Sequence, residues 1–178
     1  MDLIFMGTPD FAVPSLERLI ADGHRIVLVV TQPDKPVGRR QILTPPPVKA
    51  YALSHGLPVF QPRSMKTDET FLELQKYPAD AMIVVAFGKI LPRRILDMTR
   101  YGCINVHGSL LPRYRGAAPV QWAVINGDAE SGVTTMQLDE GVDTGDILLT
   151  SRRPLDDTIT GGELFDLLAQ DGAALLAE

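Results

Sequence analysis

Three runs of the chain are apolar at nearly every position: residues 3–6 (LIFM), 25–30 (RIVLVV) and 80–87 (DAMIVVAF). A strand with one face in water alternates apolar and polar residues. Runs that do not alternate belong to strands covered on both faces, as in a parallel sheet. A fourth run, 103–106 (CINV), is similar but leads into polar residues. Between the runs the spacing changes to that of helices. VPSLERLIADG (13–23) sets Leu16, Leu19 and Ile20 on one side and stops at Gly23, and PPVKAYALSHG (46–56) opens on prolines suited to a first turn and ends at Gly56. TDETFLELQKY (67–77) carries acids where the helix dipole favours them, and PVQWAVINGD (119–128) predicts a further short helix.

This alternation predicts an α/β, Rossmann-like, doubly wound fold with a mainly parallel sheet. GVTTMQLD (132–139) then alternates, and GDILLTSRRPL (145–155) follows the tight EGVDTGD (140–146), which predicts an antiparallel addition in the C-terminal half. TITGGELFDLLAQDGAALLAE (158–178) predicts a capped amphipathic helix. It ends without a closing Gly, Pro or polar tail, so the chain is expected to be cut from a longer protein.

Composition narrows the function classes. With 178 residues, 45% of them hydrophobic, the chain is expected to be one domain with its own core. A net charge of −5 argues against a self-sufficient nucleic-acid binder but leaves room for a local basic patch. The single cysteine, Cys103, excludes an internal disulfide and a multi-cysteine zinc site, so no metal is expected, and it fits a reducing compartment. The N-terminus does not read as a signal peptide, and AMIVVAF (81–87) is far short of the ~20 residues of a membrane helix. A cytoplasmic protein without a membrane partner is expected.

Three stretches carry candidate chemistry. The first βα turn (FMGTPDFAVPS, 5–15) has Gly7 but lacks the G-x-G-x-x-G spacing that brings backbone to a pyrophosphate, which argues against a dinucleotide. Residues 31–49 interrupt the alternation with five prolines and with Lys35, Arg39, Arg40 and Lys49 against one acid, Asp34. A structureless stretch of this length is uncommon in a compact domain unless it is functional. Composition leaves open a solvated connector or a loop that contacts phosphates. In CINVHGS (103–109), alternation turns Ile104 and Val106 one way and Asn105 and His107 the other, at a strand end where open α/β sheets bind ligands. The pair either caps the strand or forms a site. Asn offers an amide N–H to a developing oxyanion, and His offers a base or an imidazolium near neutral pH. Neither Cys103 nor Ser109 is placed as a nucleophile, which favours direct attack on a carbonyl by an external nucleophile. The acid to orient the imidazole is one of Asp139, Glu140, Asp143 and Asp146, and spacing does not choose among them.

With these motifs in hand, the chain resembles the formyltransferase family that uses 10-formyltetrahydrofolate. The likeness covers essentially all 178 residues through MGTPDFAVPSL, TQPDKPVGR, GLPVFQP, VVAFGKILP, INVHGSLLPRYRGAAPVQWAVINGD, GVTTMQLDEGVDTGDIL and ELFDLLAQDGA. The resemblance implies a catalytic trio of Asn105, His107 and Asp143. It implies a folate site lined by Ser109, Leu110, Leu111 and Pro112, with Phe87, Gly88, Ile90, Leu91 and the 139–145 loop receiving the pterin. Lys89 departs from the apolar residue expected in that motif. The implied acceptor is the α-amine of methionine on initiator tRNA, contacted by Lys35, Arg39 and Arg40 in the basic loop. A monomer is implied, with the family's second, β-barrel domain missing from this chain. An amino-sugar nucleotide acceptor and a non-catalytic folate-binding module are the alternatives.

Overall fold

The structure is a computed structural model that describes all 178 residues. In chain order the elements are β1 (Asp2–Gly7), a 3-10 turn (Asp10–Ala12), α1 (Val13–Ala21), β2 (Arg25–Val30), β3 (Lys35–Val37), β4 (Ile42–Thr44), α2 (Pro47–Ser54) and β5 (Val59–Phe60). There follow α3 (Asp68–Gln75), β6 (Ala81–Val85), α4 (Arg93–Leu96), β7 (Cys103–His107), α5 (Pro119–Ile125), β8 (Glu130–Gln137), β9 (Ile147–Pro154) and α6 (Gly161–Leu176). No helix is long and apolar enough to cross a membrane.

Seven strands form one sheet in the order β5-β2-β1-β6-β7-β8-β9. The first five are parallel, and β8 and β9 add antiparallel, as expected for a doubly wound α/β fold with an antiparallel extension. The absence of alternation in the strand sequences has its cause in two separate cores. Leu3, Phe5, Ala81, Ile83, Val85 and Val106 pack against α1, α2, α5 and α6 on one face. Ile4, Met6, Met82, Val84 and Cys103 pack with α3 and α4 residues such as Leu74, Ile95 and Leu96 on the other. Each strand therefore keeps its period of two while being apolar throughout.

Two predicted features differ in the structure, and two short elements were not predicted. The stretch 31–49 is not structureless: β3 and β4 pair as a short antiparallel hairpin, Lys35 opposite Thr44 and Val37 opposite Ile42. Its turn uses Gly38 at φ +71° and Gln41 at φ +50°. Pro36 and the exposed side chains hid the strand pattern, because the hairpin stands clear of both cores and needs no apolar face. The strand predicted over 80–87 stops at Val85, since Ala86 takes φ +46° and turns the chain out of the sheet. Finally, β5 and α4, of two and four residues, are too short to register as a period.

The C-terminal helix begins with a capping box in which Thr160 and Glu163 satisfy each other's backbone N–H groups. It lies so close to the sheet that a Cβ on Gly172 would stand 2.8 Å from Val106 Cγ1. Gly172→Val is predicted to destabilise the fold by about 1–3 kcal/mol through overpacking, read as a lower urea midpoint; an unchanged midpoint would show that the helix can move away. At the start of β7, burial pushes the Cys103 thiol up to about 12, with Asp97 adding to the shift. At pH 8 the native protein is therefore predicted to resist iodoacetamide and to label only once unfolded, because the thiolate is the reactive form. Rapid labelling of the folded chain would contradict this placement.

Candidate active site

The parallel strands β1, β6 and β7 end at a cleft of about 610 Å³, a size typical of small-molecule sites. Its walls come from the turn after β1 (Pro9, Phe11), the 86–91 segment after β6, the end of β7, the 116–121 segment that enters α5, the 138–143 loop after β8, and Phe165 of α6. The 86–91 segment is tied to its neighbours through the Phe87 carbonyl, which accepts from Thr8 Oγ1 at 3.1 Å and from Gln32 Nε2 at 3.0 Å. Lys89 reaches across to donate to the carbonyls of Pro62 at 2.5 Å and Arg63 at 2.8 Å, so the departure from an apolar residue serves as a strut. Burial, with Lys35 nearby, pushes its ammonium below the usual lysine range.

Asn105 and His107 are 9% and 7% exposed and line this cleft on one side of β7, as alternation predicts. The side-chain amide of Asn105 has no hydrogen-bond partner within the chain, yet it borders the cleft and is therefore not sealed. A polar group kept buried without a partner costs free energy unless something else binds it. His107 is held from two sides. Its Nε2 stands 2.9 Å from the Tyr114 carbonyl, an acceptor only, so Nε2 carries the hydrogen. Its Nδ1 faces Asp143 Oδ2 at 3.5 Å, beyond an ordinary hydrogen bond. Of the two readings of the pair, bonding to nearby backbone describes His107, through the Tyr114 carbonyl, and does not describe Asn105, whose side chain bonds no backbone group.

Of the four acids that spacing left open, Asp143 is the one beside the imidazole. It is steered there by a left-handed backbone (φ +53°) and by the Gly116 N–H, which donates to Oδ2 at 2.7 Å. Asp139 lines the same cleft but is occupied by Thr144 Oγ1 at 2.8 Å and by the Gly141 N–H at 3.0 Å. Cys103 lies on the same side of β7, fully buried in the core behind Asn105, and does not line the cleft.

The residues expected at the folate divide. Phe87, Gly88, Ile90 and Leu91 line the cleft; Ser109, Leu110, Leu111 and Pro112 do not. The Ser109 hydroxyl turns inward to the Arg113 carbonyl at 2.6 Å, and the Leu111 N–H donates to Thr134 Oγ1 at 3.1 Å. Leu110 packs over Gly132. These bonds brace the loop that follows His107. Lys35 donates to Gln32 at 2.9 Å, and Arg39 and Arg40 stand exposed at the hairpin tip, away from the cleft. Lys49 is spent on Asp34 at 2.8 Å, which leaves those three as the hairpin's outward cations.

Sequence reasoning missed the backbone of the site. Ala86, Tyr114, Ala118 and Asp143 all have positive φ (46° to 58°), and three of them line the cleft while the fourth supplies the carbonyl on His107. Such conformations are costly for non-glycine residues and collect at functional sites. Ala86, Tyr114 and Ala118 carry no turn signal, and of the four only Asp143 is of a type that enters the left-handed region readily.

Residues 1–178 match the family described as formyl transferase over their whole length. Methionyl-tRNA formyltransferase from Agathobacter rectalis is 60% identical over 178 residues, which are all of this chain and 57% of that protein. The enzyme of the same name from Desulfotalea psychrophila is 57% identical over 176 residues, 99% of this chain and 54% of the relative. The chain thus spans little more than half the length of these relatives. Among solved structures, glycinamide ribonucleotide transformylase 1 from Geobacillus kaustophilus superposes with a TM-score of 0.77 at 22% identity, over 98% of this chain and 93% of that one. A sugar N-formyltransferase from Shewanella sp FDAARGOS_354 does so with a TM-score of 0.72 at 18% identity, over 99% of this chain and 66% of that one. These two share the fold, whereas the full-length match and the high identities show more: the chain belongs to the formyl transferase family.

Proposed function

We propose that this chain is the catalytic domain of an enzyme that transfers a formyl group from 10-formyltetrahydrofolate to the α-amine of methionine on initiator tRNA. The observation that carries the reading is the meeting, in one cleft, of the unpartnered Asn105 amide, the His107 ring and the Asp143 carboxylate. The acceptor is suggested by a relative that is 60% identical and named methionyl-tRNA formyltransferase, and the donor by the resemblance to formyltransferases that use 10-formyltetrahydrofolate.

The donor fits the residues present. A flat pterin with donors and acceptors on its edge needs apolar faces and peptide groups. Leu91 and Val142 offer the first, and the backbone of 86–90 and 139–143 offers the second. When bound, 10-formyltetrahydrofolate supplies the formyl group under attack. The Asn105 amide N–H donates to the oxygen on which charge develops, a contribution of about 10²–10³ in rate. His107 Nε2–H is committed to Tyr114, so Nδ1 is the atom with a lone pair to take the proton shed by the amine. The imidazolium so formed gains Asp143 as counter-ion in a largely buried wall, and it can return the proton to the departing nitrogen.

The hairpin cations Lys35, Arg39 and Arg40 would contact phosphates at the acceptor end of the tRNA. The greater length of the relatives leaves room for the β-barrel domain that the resemblance implies, to which the remaining tRNA contacts are assigned. The enzyme would act as a monomer in the cytoplasm.

Alanine at Asn105 is predicted to lower turnover about 10²–10³-fold, and alanine at His107 or Asp143 about 10²–10⁴-fold, with donor binding intact by fluorescence titration. Near-normal turnover in any of the three removes its role. The double substitution Arg39→Ala, Arg40→Ala is predicted to raise KM for tRNA and to flatten its salt dependence by about one power of salt per lost phosphate contact. Equal loss towards a small amine acceptor would instead place these arginines in the chemistry.

A further inference from the structure

The Tyr114 carbonyl that holds His107 is itself aimed by a cluster outside the cleft. Tyr114 stands at φ +55°, and its ring packs on the α1/α5/α6-side core. Its hydroxyl donates to Asp128 Oδ2 at 2.7 Å and accepts from Asn126 Nδ2 at 2.9 Å. Arg113 donates to the other oxygen of Asp128 at 2.8 Å, and its guanidinium lies over the Tyr114 ring, 5.3 Å from the centroid. The Asp128 side chain is only 11% exposed, so it is a poor candidate for a merely solvated charge. None of Arg113, Tyr114, Asn126 and Asp128 lines the cleft.

The anchoring matters because His107 stands between two acceptors that compete for one proton. On a neutral ring the Asp143 carboxylate would draw the hydrogen to Nδ1, since bonds to charged acceptors are the stronger ones. The Tyr114 carbonyl draws it to Nε2 and leaves the Nδ1 lone pair free. A loosened Tyr114 would lose that contest, and the ring would present its base nitrogen already protonated.

We infer that Asp128 and the Tyr114 hydroxyl are positioning residues that set the tautomer of His107, by fixing the carbonyl of Tyr114 against Nε2. The catalytic consequence rests on the function proposed above; the tautomer itself does not.

The test is long-range proton–nitrogen NMR on ¹⁵N-labelled protein. The chain has three histidines, and His107→Gln identifies the relevant signals. With the ring neutral, the wild-type protein is expected to show the Nε2–H form. Tyr114→Phe, which keeps the ring and its packing, and Asp128→Ala are each expected to shift the population towards Nδ1–H. Their kcat is expected to fall by about tenfold or more with KM for the donor unchanged, given that an enforced wrong tautomer costs about 10⁴ elsewhere. If Asp128→Ala does not fold, Tyr114→Phe decides alone. The inference is overturned if the wild-type ring is Nδ1–H or never becomes neutral, if the variants keep the Nε2–H form, or if kcat falls without a tautomer change. A tautomer that moves while transfer continues unaffected upholds the inference and instead removes the base role assigned to His107.

Discussion

Everything at the cleft depends on the end of β7 being fixed in register and in face. Val84 pairs with Asn105 on the parallel side, and Met136 pairs with it on the antiparallel side. Val106, buried under α1, α5 and α6, fixes which way the strand faces. A slip of one residue would exchange the two faces, sending Asn105 and His107 towards the apolar core under α6 and leaving apolar side chains in their places. The cost of that exchange is what lets two polar side chains sit almost fully buried with one amide unpartnered.

Around this fixed strand end the site is completed by backbone. The loop that follows β7 brings a carbonyl to Nε2 and the loop after β8 brings a carboxylate towards Nδ1 of His107, and both loops do so from left-handed residues, Tyr114 and Asp143. The Gly116 N–H joins the two loops by donating to the same Asp143 oxygen that faces the ring. Charge is divided in the same local way. The chain carries −5 overall, while the hairpin presents Lys35, Arg39 and Arg40 to solvent. Screening confines their influence to about 8–10 Å at physiological salt, so a basic projection can meet a polyanion on an acidic domain.

Much of this was legible in the sequence because it follows from periodicity. Strands covered on both faces, helices with their stops, and the polar side of β7 are all consequences of spacing, and the structure has them. The choice of Asp143 over Asp139, Glu140 and Asp146 was not legible from spacing. Three aspartates in one loop are equally suited to a turn, so the residue type does not tell which one turns towards the ring, and only the resemblance singled it out. The hairpin was hidden because its pairing is made by backbone, with exposed side chains and a proline that lacks an N–H. Ser109 to Pro112 carry no sign in the sequence that they are tied inward, the Ser109 hydroxyl to the Arg113 carbonyl and the Leu111 N–H to Thr134. The Tyr114 carbonyl was beyond reach of any motif, since every residue has one.

Formyl transfer to a methionyl amine, as proposed for this cleft, is tested by following the formyl group itself. Purified protein would be incubated with 10-formyltetrahydrofolate labelled in the formyl carbon and with initiator tRNA charged with methionine. The label is expected to appear on the α-nitrogen of methionine in step with loss of the formyl donor. Label that remains on the folate, or that leaves it only as free formate, would contradict it.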